Sequence, residues 1–232
     1  DAHGTPILSG RPRSPAEYGE FAAAAADRYR GRIAAYEIWN EQNAATFYTP
    51  QPDPSGYVAL LKAAYPAIKA ADPHAVVVTG GLGALVDHTT LTIDAVKFVK
   101  GMYAAGAKGY FDGIGYHPYQ YTTMFSDGGY HPDSPINQVD GIRAAMLANG
   151  DEAKKIWITE WGQATGTSWA AVSELRQAEF LVDFLERVSE LPYLGPSFLF
   201  TTRNLGADTS YDAYNYGLYS VAFRPTMAVA AM

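Results

Sequence analysis

Residues 33–43, IAAYEIWNEQN, begin as an apolar β-strand (33–39) and end in a run of four polar side chains. A second segment, KIWIT at residues 155–159, is also apolar and is followed directly by Glu160. Short strands of this kind alternate along the chain with longer helical segments, which is the pattern of parallel βα units. The sequence therefore predicts an α/β fold built on a parallel sheet.

Three more strands and five helices complete this pattern. The strands are predicted at residues 75–79, 111–116 and 197–201, and the helices at 14–30, 55–71, 92–105, 137–149 and 173–189. Ser14 suits the cap of the first helix, and Pro15 suits its first turn. No linker or internal repeat separates these units, so residues 1–232 are expected to form a single domain.

Two loops differ from ordinary connections. The run Gly80-Gly81-Leu82-Gly83 lacks the Lys and Ser/Thr of a phosphate-binding loop, and we interpret it as a tight turn. Residues 118–135 form a connection rich in Gly, Pro and Tyr that is longer than most βα loops. Loops of that length are usually functional lids or disordered segments, and both alternatives stay open from the sequence.

Composition narrows the possible partners and chemistry. The net charge of −7 argues against a nucleic-acid partner, because phosphates are held mainly by clustered Lys and Arg. Cys is absent, so thiol nucleophiles, thiolate metal sites and disulfides are excluded. No apolar run approaches the ~20 residues that span a bilayer, so membrane insertion is not expected. The histidines form no HExxH pair or three-ligand set and no Gly-x-Ser-x-Gly elbow occurs, so we expect no metal, no other cofactor and no serine nucleophile.

Two carboxylates are placed for catalysis. Glu41 and Glu160 each lie just beyond the end of a predicted strand, and the carboxyl ends of parallel strands meet at one rim of a βα barrel. Glycoside hydrolysis requires such a pair, because one carboxylic acid protonates the leaving oxygen while the other carboxylate attacks the anomeric carbon or activates water. A lone Glu in this position is more often a solvated loop residue, so the pair supports a catalytic role where either residue alone would not. Glu37 faces a different direction by strand alternation, and we interpret it as structural or supporting.

Several side chains near these strand ends could contact a sugar. Trp161 lies beyond a strand end, as does Trp169, where stacking on a sugar ring is plausible. Trp39 and Trp157 lie within strands and are predicted to be core residues. Arg203 could bind a charged or hydroxyl-rich sugar, or it could pair with one of the aspartates that follow it, Asp208 or Asp212.

Four motifs together carry a family resemblance. The run at residues 36–43, YEIWNEQN, resembles the acid/base motif that ends the fourth strand of clan A glycoside hydrolases. Thr159-Glu160-Trp161-Gly162 resembles the nucleophile motif that ends the seventh strand of that clan. Residues 112–119, DGIGYHPY, resemble the sixth-strand motif, and residues 215–219, NYGLY, resemble the stretch that leads into the eighth helix. Within the clan, the chain is most similar to the group around β-xylosidases, α-iduronidases and bacterial exopolysaccharide hydrolases.

This resemblance implies a (β/α)8 TIM-type barrel, a carbohydrate substrate and a retaining mechanism. It assigns Glu41 as the general acid/base, protonated at rest, and Glu160 as the nucleophile. It further implies that Asn40 hydrogen-bonds the sugar 2-hydroxyl and that Tyr119 or His117 orients the nucleophile. It also implies that Trp161 forms a wall of the site.

The chain departs from the family pattern in two ways. The acid/base motif should end the fourth strand, yet it arrives at residue 41, so we expect only the β4–β8 portion of the barrel. The first three βα units and the end of the last helix are expected from a longer polypeptide, with the missing strands supplied by upstream sequence. In addition, many relatives place a Trp under the reacting sugar at the eighth strand, where this chain has Phe200-Thr201-Thr202-Arg203-Asn204.

Two rival functions remain open at this stage. The first is a non-catalytic carbohydrate-binding barrel or scaffold, because a fold does not fix a function. The second is another barrel hydrolase, for instance a metal-dependent one. The sequence does not fix the cellular location, although a secreted or extracytoplasmic protein is favoured.

Overall fold

A parallel β-sheet forms the centre of the computed structural model, which describes residues 9–119, 121, 123–129, 131 and 134–232. The strands run in the order β1-β2-β4-β5-β6, and the short β3 pairs with β4. Each main strand lies beside the next one along the chain, as consecutive βα units require. This arrangement confirms the predicted α/β fold. The strands are β1 (Ala35–Ile38), β2 (Val76–Thr79), β3 (Leu82–Gly83), β4 (Gly113–His117), β5 (Lys155–Trp161) and β6 (Leu194–Leu199).

The predicted helices are present, with boundaries shifted by a few residues. Ser14 Oγ accepts a hydrogen bond from the Ala16 N–H at 3.1 Å, which confirms the predicted cap of α1. No helix in the described part of the chain is both long and apolar enough to cross a bilayer. The helices are α1 (Pro15–Arg28), α2 (Pro54–Ala71), α3 (Ala95–Ala104), α4 (Pro135–Ala148), α5 (Glu174–Glu190) and a short α6 (Met227–Ala231).

The helices cover one face of the sheet, which we call the outer face. Ile114 and Tyr116 of β4 and Ile156 and Ile158 of β5 are fully buried there. Strand alternation turns the intervening side chains to the opposite, inner face, where Phe198 is 52% exposed. Within the described residues, β1 and β6 each pair along one side only. The sheet is therefore an arc of a barrel with an open inner face.

The strand predictions require two corrections. Leu82 and Gly83 are not part of a tight turn, because they extend into β3 and pair with Tyr116 and His117. The last strand spans Leu194–Leu199 rather than 197–201. This strand contains Pro196, and proline is tolerated at a sheet edge, where its missing N–H faces no neighbouring strand.

Two short elements were not predicted, and one prediction is only partly covered. A 3-10 turn forms at Asp212–Tyr214, and α6 begins at Met227. The long loop predicted at residues 118–135 ends earlier, because α4 starts at Pro135. Residues 120, 122, 130, 132 and 133 of that loop lie outside the described residues.

Candidate active site

A cleft of about 730 Å³ opens at the carboxyl ends of the strands. Three carboxylates line it, those of Glu41, Glu160 and Asp212, and the described lining residues include no Lys or Arg. Asn40 also borders the cleft. Aromatic rings make up much of the remaining wall: Phe47, Tyr119, Tyr121, Phe200 and Tyr216.

The loop after β1 holds Glu41 in an unusual backbone conformation. Trp39 has φ 75° and Glu41 has φ 45°, both in the left-handed region that side chains other than glycine rarely adopt. Hydrogen bonds to the glycine run maintain this geometry, because Glu41 N–H donates to the Gly81 carbonyl at 2.9 Å and Gln42 Nε2 donates to the Gly80 carbonyl at 2.8 Å. The loop is thereby fixed so that the Glu41 carboxyl group faces the cleft.

Close packing explains why this run is rich in glycine. A Cβ atom at Gly81 would overlap the His117 imidazole and the Thr159 hydroxyl, and one at Gly80 would overlap the Gln42 side chain. Glycine at these positions lets three neighbouring strand ends converge on one point. The run therefore positions the site rather than simply reversing the chain.

His117, at the end of β4, lies between the two carboxylates. Its Nδ1 is 3.0 Å from Glu41 Oε1 and 4.0 Å from Glu160 Oε2, while its Nε2 is 3.0 Å from Thr159 Oγ1. Its side chain is only 1% exposed. The imidazole is thus a fixed link between the ends of β1 and β5.

An irregularity in β5 aims Glu160 into the cleft. The pairing register with β6 shifts between Ile158 and Trp161, which indicates a bulge there, and bulges re-aim side chains. Tyr119 donates its hydroxyl hydrogen to Glu160 Oε2 at 3.0 Å. Burial raises the pKa of Tyr119, and the negative charge of Glu160 raises it further, so the phenol keeps its proton. Glu160 is therefore held as a hydrogen-bond acceptor, the state that a nucleophile requires.

Replacing Tyr119 with phenylalanine tests this hydrogen bond. A hydrogen bond to a charged group contributes about 1.5–3 kcal/mol, so kcat/KM on the glycoside substrates that the sequence motifs predict is expected to fall by about 10- to 150-fold. The thermal unfolding midpoint should change little, because the ring remains in place. Steady-state kinetics with melting curves for both proteins measure the effect, and unchanged kcat/KM would show that the contact does not support Glu160.

Glu37 lies on the inner face, next to this cluster. Its Oε1 accepts the Gly81 N–H at 2.7 Å, and its carboxylate is also hydrogen-bonded to the Thr159 side chain. Burial raises the pKa of Glu37, although the bond to Thr159 and the nearby His117 act in the opposite direction. This position agrees with the interpretation of Glu37 from the sequence as a structural or supporting residue.

The structure does not bring Trp161 to the cleft, which corrects the expectation that it forms a wall. Its ring is 5% exposed and stacks on Phe184 of α5, with centroids 4.2 Å apart and planes 2° from parallel. The bulge that turns Glu160 toward the cleft leaves the next side chain on the outer face. Phe200, the residue directly after β6, lines the cleft instead.

Arg203 is also away from the cleft. Its guanidinium carbon lies 4.7 Å from the centre of the Phe223 ring, and the described residues show no ion pair between it and Asp208 or Asp212. A cation stacked on an aromatic face is stabilised without a carboxylate partner. Neither role considered for Arg203 from the sequence fits this position.

Several site residues were missed from the sequence. Asp212 and Tyr216 follow the last strand at a distance, where no periodic pattern marks them, and Tyr121 sits in the long loop. Thr159 could have been found, because strand alternation predicts that it shares a face with Trp157. Among the described residues, no group of three or more His, Cys, Asp or Glu side chains is arranged to hold a metal ion.

The parallel sheet with two carboxylates at its rim agrees with the barrel-type fold expected from the sequence. The sequence matches no protein-family model and no curated protein. Solved structures do match it. A family 39 glycoside hydrolase from Bacteroides cellulosilyticus has a TM-score of 0.72 and 24% identity, over 92% of this chain and 42% of its own.

Two other structures give the same picture. A monomeric β-xylosidase from Caulobacter crescentus has a TM-score of 0.66 and 19% identity, over 96% of this chain and 46% of its own. A family 39 enzyme from Xanthomonas axonopodis pv. citri has a TM-score of 0.69 and 20% identity, over 96% of this chain and 45% of its own. The chain thus spans less than half the length of each of these proteins, and its fold corresponds to part of theirs.

Proposed function

We propose that the protein hydrolyses O-glycosidic bonds with retention of anomeric configuration, with Glu160 as nucleophile and Glu41 as general acid/base. The observation that carries this proposal is the asymmetry of the two carboxylates about His117. Glu160 accepts the Tyr119 hydroxyl hydrogen, whereas Glu41 contacts the imidazole at 3.0 Å. One carboxylate is therefore supported as an anion, and the other is placed to exchange a proton.

The reaction follows from these two roles. Glu160 attacks the anomeric carbon while Glu41 gives its proton to the departing oxygen, which leaves a glycosyl ester on Glu160 and an ionised Glu41. Water then loses a proton to Glu41 and attacks the same carbon, which releases Glu160 and restores both starting states. Asn40, at the cleft edge beside Glu41, is proposed to hold the sugar 2-hydroxyl.

The positions of the two carboxylates accommodate a retaining mechanism. Retaining enzymes hold the two groups about 5–5.5 Å apart, and inverting enzymes leave about 6.5–9.5 Å for a water molecule. Here one oxygen of each carboxylate lies within 4.0 Å of the same nitrogen atom, His117 Nδ1. This shared neighbour keeps the two oxygens no more than about 7 Å apart, a range that includes the retaining separation.

The cleft suits an uncharged sugar. Three carboxylates line its described part, and Arg203 is turned toward Phe223. A uronic acid would bring a further negative charge to this surface with no cation beside it. Because one structural neighbour is a β-xylosidase, β-xylosides are the first substrates to test.

The open inner face is proposed to be completed by further βα units from upstream sequence. Phe198 is exposed on that face, and the described edges β1 and β6 are unpaired. Unpaired edges and exposed aromatic side chains in a parallel sheet are normally covered. Activity is therefore best measured on the full polypeptide.

Hydrolysis of a panel of aryl glycosides by the full polypeptide tests the proposal, with Glu160→Ala and Glu41→Ala as controls. We expect release of the phenol by the parent protein from an uncharged glycoside and loss of release in both variants. Sugar binding without turnover would instead support a carbohydrate-binding barrel. Activity that is lost on chelation would support a metal-dependent hydrolase.

An exposed aromatic pair beside the cleft is proposed to contact a second sugar unit. Trp169 is 78% exposed, and its ring lies 4.9 Å from that of Tyr121, which lines the cleft. The buried Gln163 donates from Nε2 to the carbonyls of Tyr121 at 3.2 Å and Ala170 at 3.0 Å. Because these bonds tie the two loops together, the platform is preformed.

Replacing Trp169 with alanine tests this platform. An aromatic contact contributes about 0.5–1.5 kcal/mol, so KM for an oligosaccharide should rise by about 2- to 12-fold. KM for an aryl monosaccharide should not change, because that substrate does not reach Trp169. Equal KM values for the oligosaccharide in the parent and the Trp169→Ala variant would show that Trp169 does not bind a second sugar unit.

A further inference from the structure

The hydrogen bonds around His117 form a chain whose direction can be worked out from its donors and acceptors. An ionised Glu37 can only accept, so both the Gly81 N–H and the Thr159 hydroxyl must donate to it. The single hydroxyl hydrogen of Thr159 is then used. Its oxygen can only accept from His117 Nε2, which lies 3.0 Å away.

This direction determines the state of the other ring nitrogen. A neutral imidazole that carries its hydrogen on Nε2 presents a lone pair at Nδ1. Glu41 Oε1 is 3.0 Å from Nδ1, so a hydrogen bond there requires that Glu41 supply the hydrogen. The arrangement therefore favours the protonated carboxylic acid at Glu41.

We propose that Glu37 is a positioning residue that fixes the tautomer of His117 and thereby keeps the catalytic proton on Glu41. The inference rests on the proposed function, because it explains how the acid of that reaction is held ready. Glu37 itself does not reach the reacting atoms, since Thr159 and His117 separate it from Glu41.

Other ionisable groups surround these hydrogen bonds and influence the proton of Glu41. Glu160 lies 4.0 Å from His117 Nδ1, and its charge favours a cationic imidazole, which is the competing state. Tyr119, Tyr121 and Tyr216 interact electrostatically with Glu41, and Asp212 acts on two of them. Burial raises the pKa of each of these tyrosines, so they remain neutral and leave Glu37, Glu160 and Asp212 as the charged neighbours.

Glu37→Gln breaks this chain of hydrogen bonds with little change in the shape of the side chain. Glutamine supplies one acceptor oxygen where Gly81 N–H and Thr159 need acceptors, so the Thr159 hydroxyl is free to turn toward His117. The imidazole can then carry its hydrogen on Nδ1 and donate it to an ionised Glu41. Thr159→Val removes the same link from the other side and should act in the same direction.

The first measurement is the pH dependence of kcat/KM for the full polypeptide on a glycoside with a poor leaving group. The alkaline limb reports loss of the proton from the acid, so it should move to lower pH by about 0.5–1 unit in both variants. A glycoside with a dinitrophenolate leaving group needs no proton, so its rate should be nearly unchanged. The matched control is Glu186→Gln on the exposed surface, which should match the parent on both substrates.

Equal losses on both glycosides, or an unmoved alkaline limb, would overturn the proposal, because a purely structural role for Glu37 has those effects. The second measurement does not depend on turnover. The ¹⁵N chemical shifts of His117, assigned with a His117→Gln variant, should show a neutral ring with its hydrogen on Nε2 near neutral pH. A cationic ring, or a hydrogen on Nδ1, would contradict the inference. A parent protein that cleaves no glycoside but shows the expected tautomer would instead refute the proposed function alone.

Discussion

Replacing Glu160 with alanine is expected to lower kcat on every glycoside substrate by on the order of 10⁴- to 10⁶-fold, the range seen when an enzyme nucleophile is removed. The reason is that Glu41 and Glu37, the two other carboxylates of this hydrogen-bonded cluster, are already engaged. Glu41 is held by His117 at 3.0 Å, and Glu37 is occupied by Gly81 and Thr159. Without Glu160, the covalent intermediate has no atom on which to form.

Steady-state and single-turnover rates measure this loss. The product that forms when azide restores activity identifies the role of Glu160. Azide should enter the space left by the carboxylate and give a glycosyl azide of inverted configuration. The Glu186→Ala variant is the control, because that side chain is exposed on α5 away from the cleft. A Glu160→Ala protein that kept more than a hundredth of the parent rate would show that Glu160 is not the nucleophile.

Replacing Glu41 with alanine is expected to have an effect that depends on the leaving group. General acid catalysis contributes about 10²- to 10⁴-fold, so cleavage of a sugar or alkyl leaving group should fall by that factor. Formation of the glycosyl enzyme from a dinitrophenyl glycoside should be nearly unaffected, because that leaving group departs as an anion. Its hydrolysis should then be slow, since no base remains to activate water.

Two observations separate this result from general damage to the site. The alkaline limb of the pH profile should disappear, and azide should give a product with retained configuration, opposite to the outcome at Glu160. The neighbouring Asn40 is unchanged in this variant, so substrate binding should persist. Equal losses for good and poor leaving groups would assign the acid to another residue.

The elements that the sequence predicts well are those in which one local pattern decides the position. The strand ends before Glu41 and Glu160 follow from apolar runs that stop at polar residues, and parallel strands bring such ends to one rim. The buried stripe of α2 follows from helical periodicity, and Tyr57, Leu61 and Ile68 are buried on it. In these segments, tertiary packing agrees with local preference.

The errors arise where the backbone departs from a regular strand. Trp161 was expected in the cleft because it follows Glu160, but the β5 bulge sends the two side chains to opposite faces. The same limit applies to Arg203, whose position depends on packing against Phe223, twenty residues later in a loop. Asp212 and Tyr216 reach the cleft through irregular backbone, which has no periodicity to reveal it.

The glycine run was misinterpreted for a related reason. Its composition matches that of a turn, and nothing local indicates that His117 and Thr159 pack against Gly81. Only the meeting of three strands explains why a side chain is excluded there. The sequence thus identified the two carboxylates that we propose to react, but not the contacts that distinguish them.

The most direct test of this account is to trap the intermediate. The full polypeptide should be treated with the 2-deoxy-2-fluoro analogue, carrying a reactive leaving group, of the aryl glycoside that it cleaves, then digested and analysed by mass spectrometry. We predict one fluorosugar per protein, attached through an ester to Glu160, together with loss of activity that recovers as the ester hydrolyses. Turnover of the parent glycoside with no adduct and an inverted first product, or an adduct on any residue other than Glu160, would contradict the account.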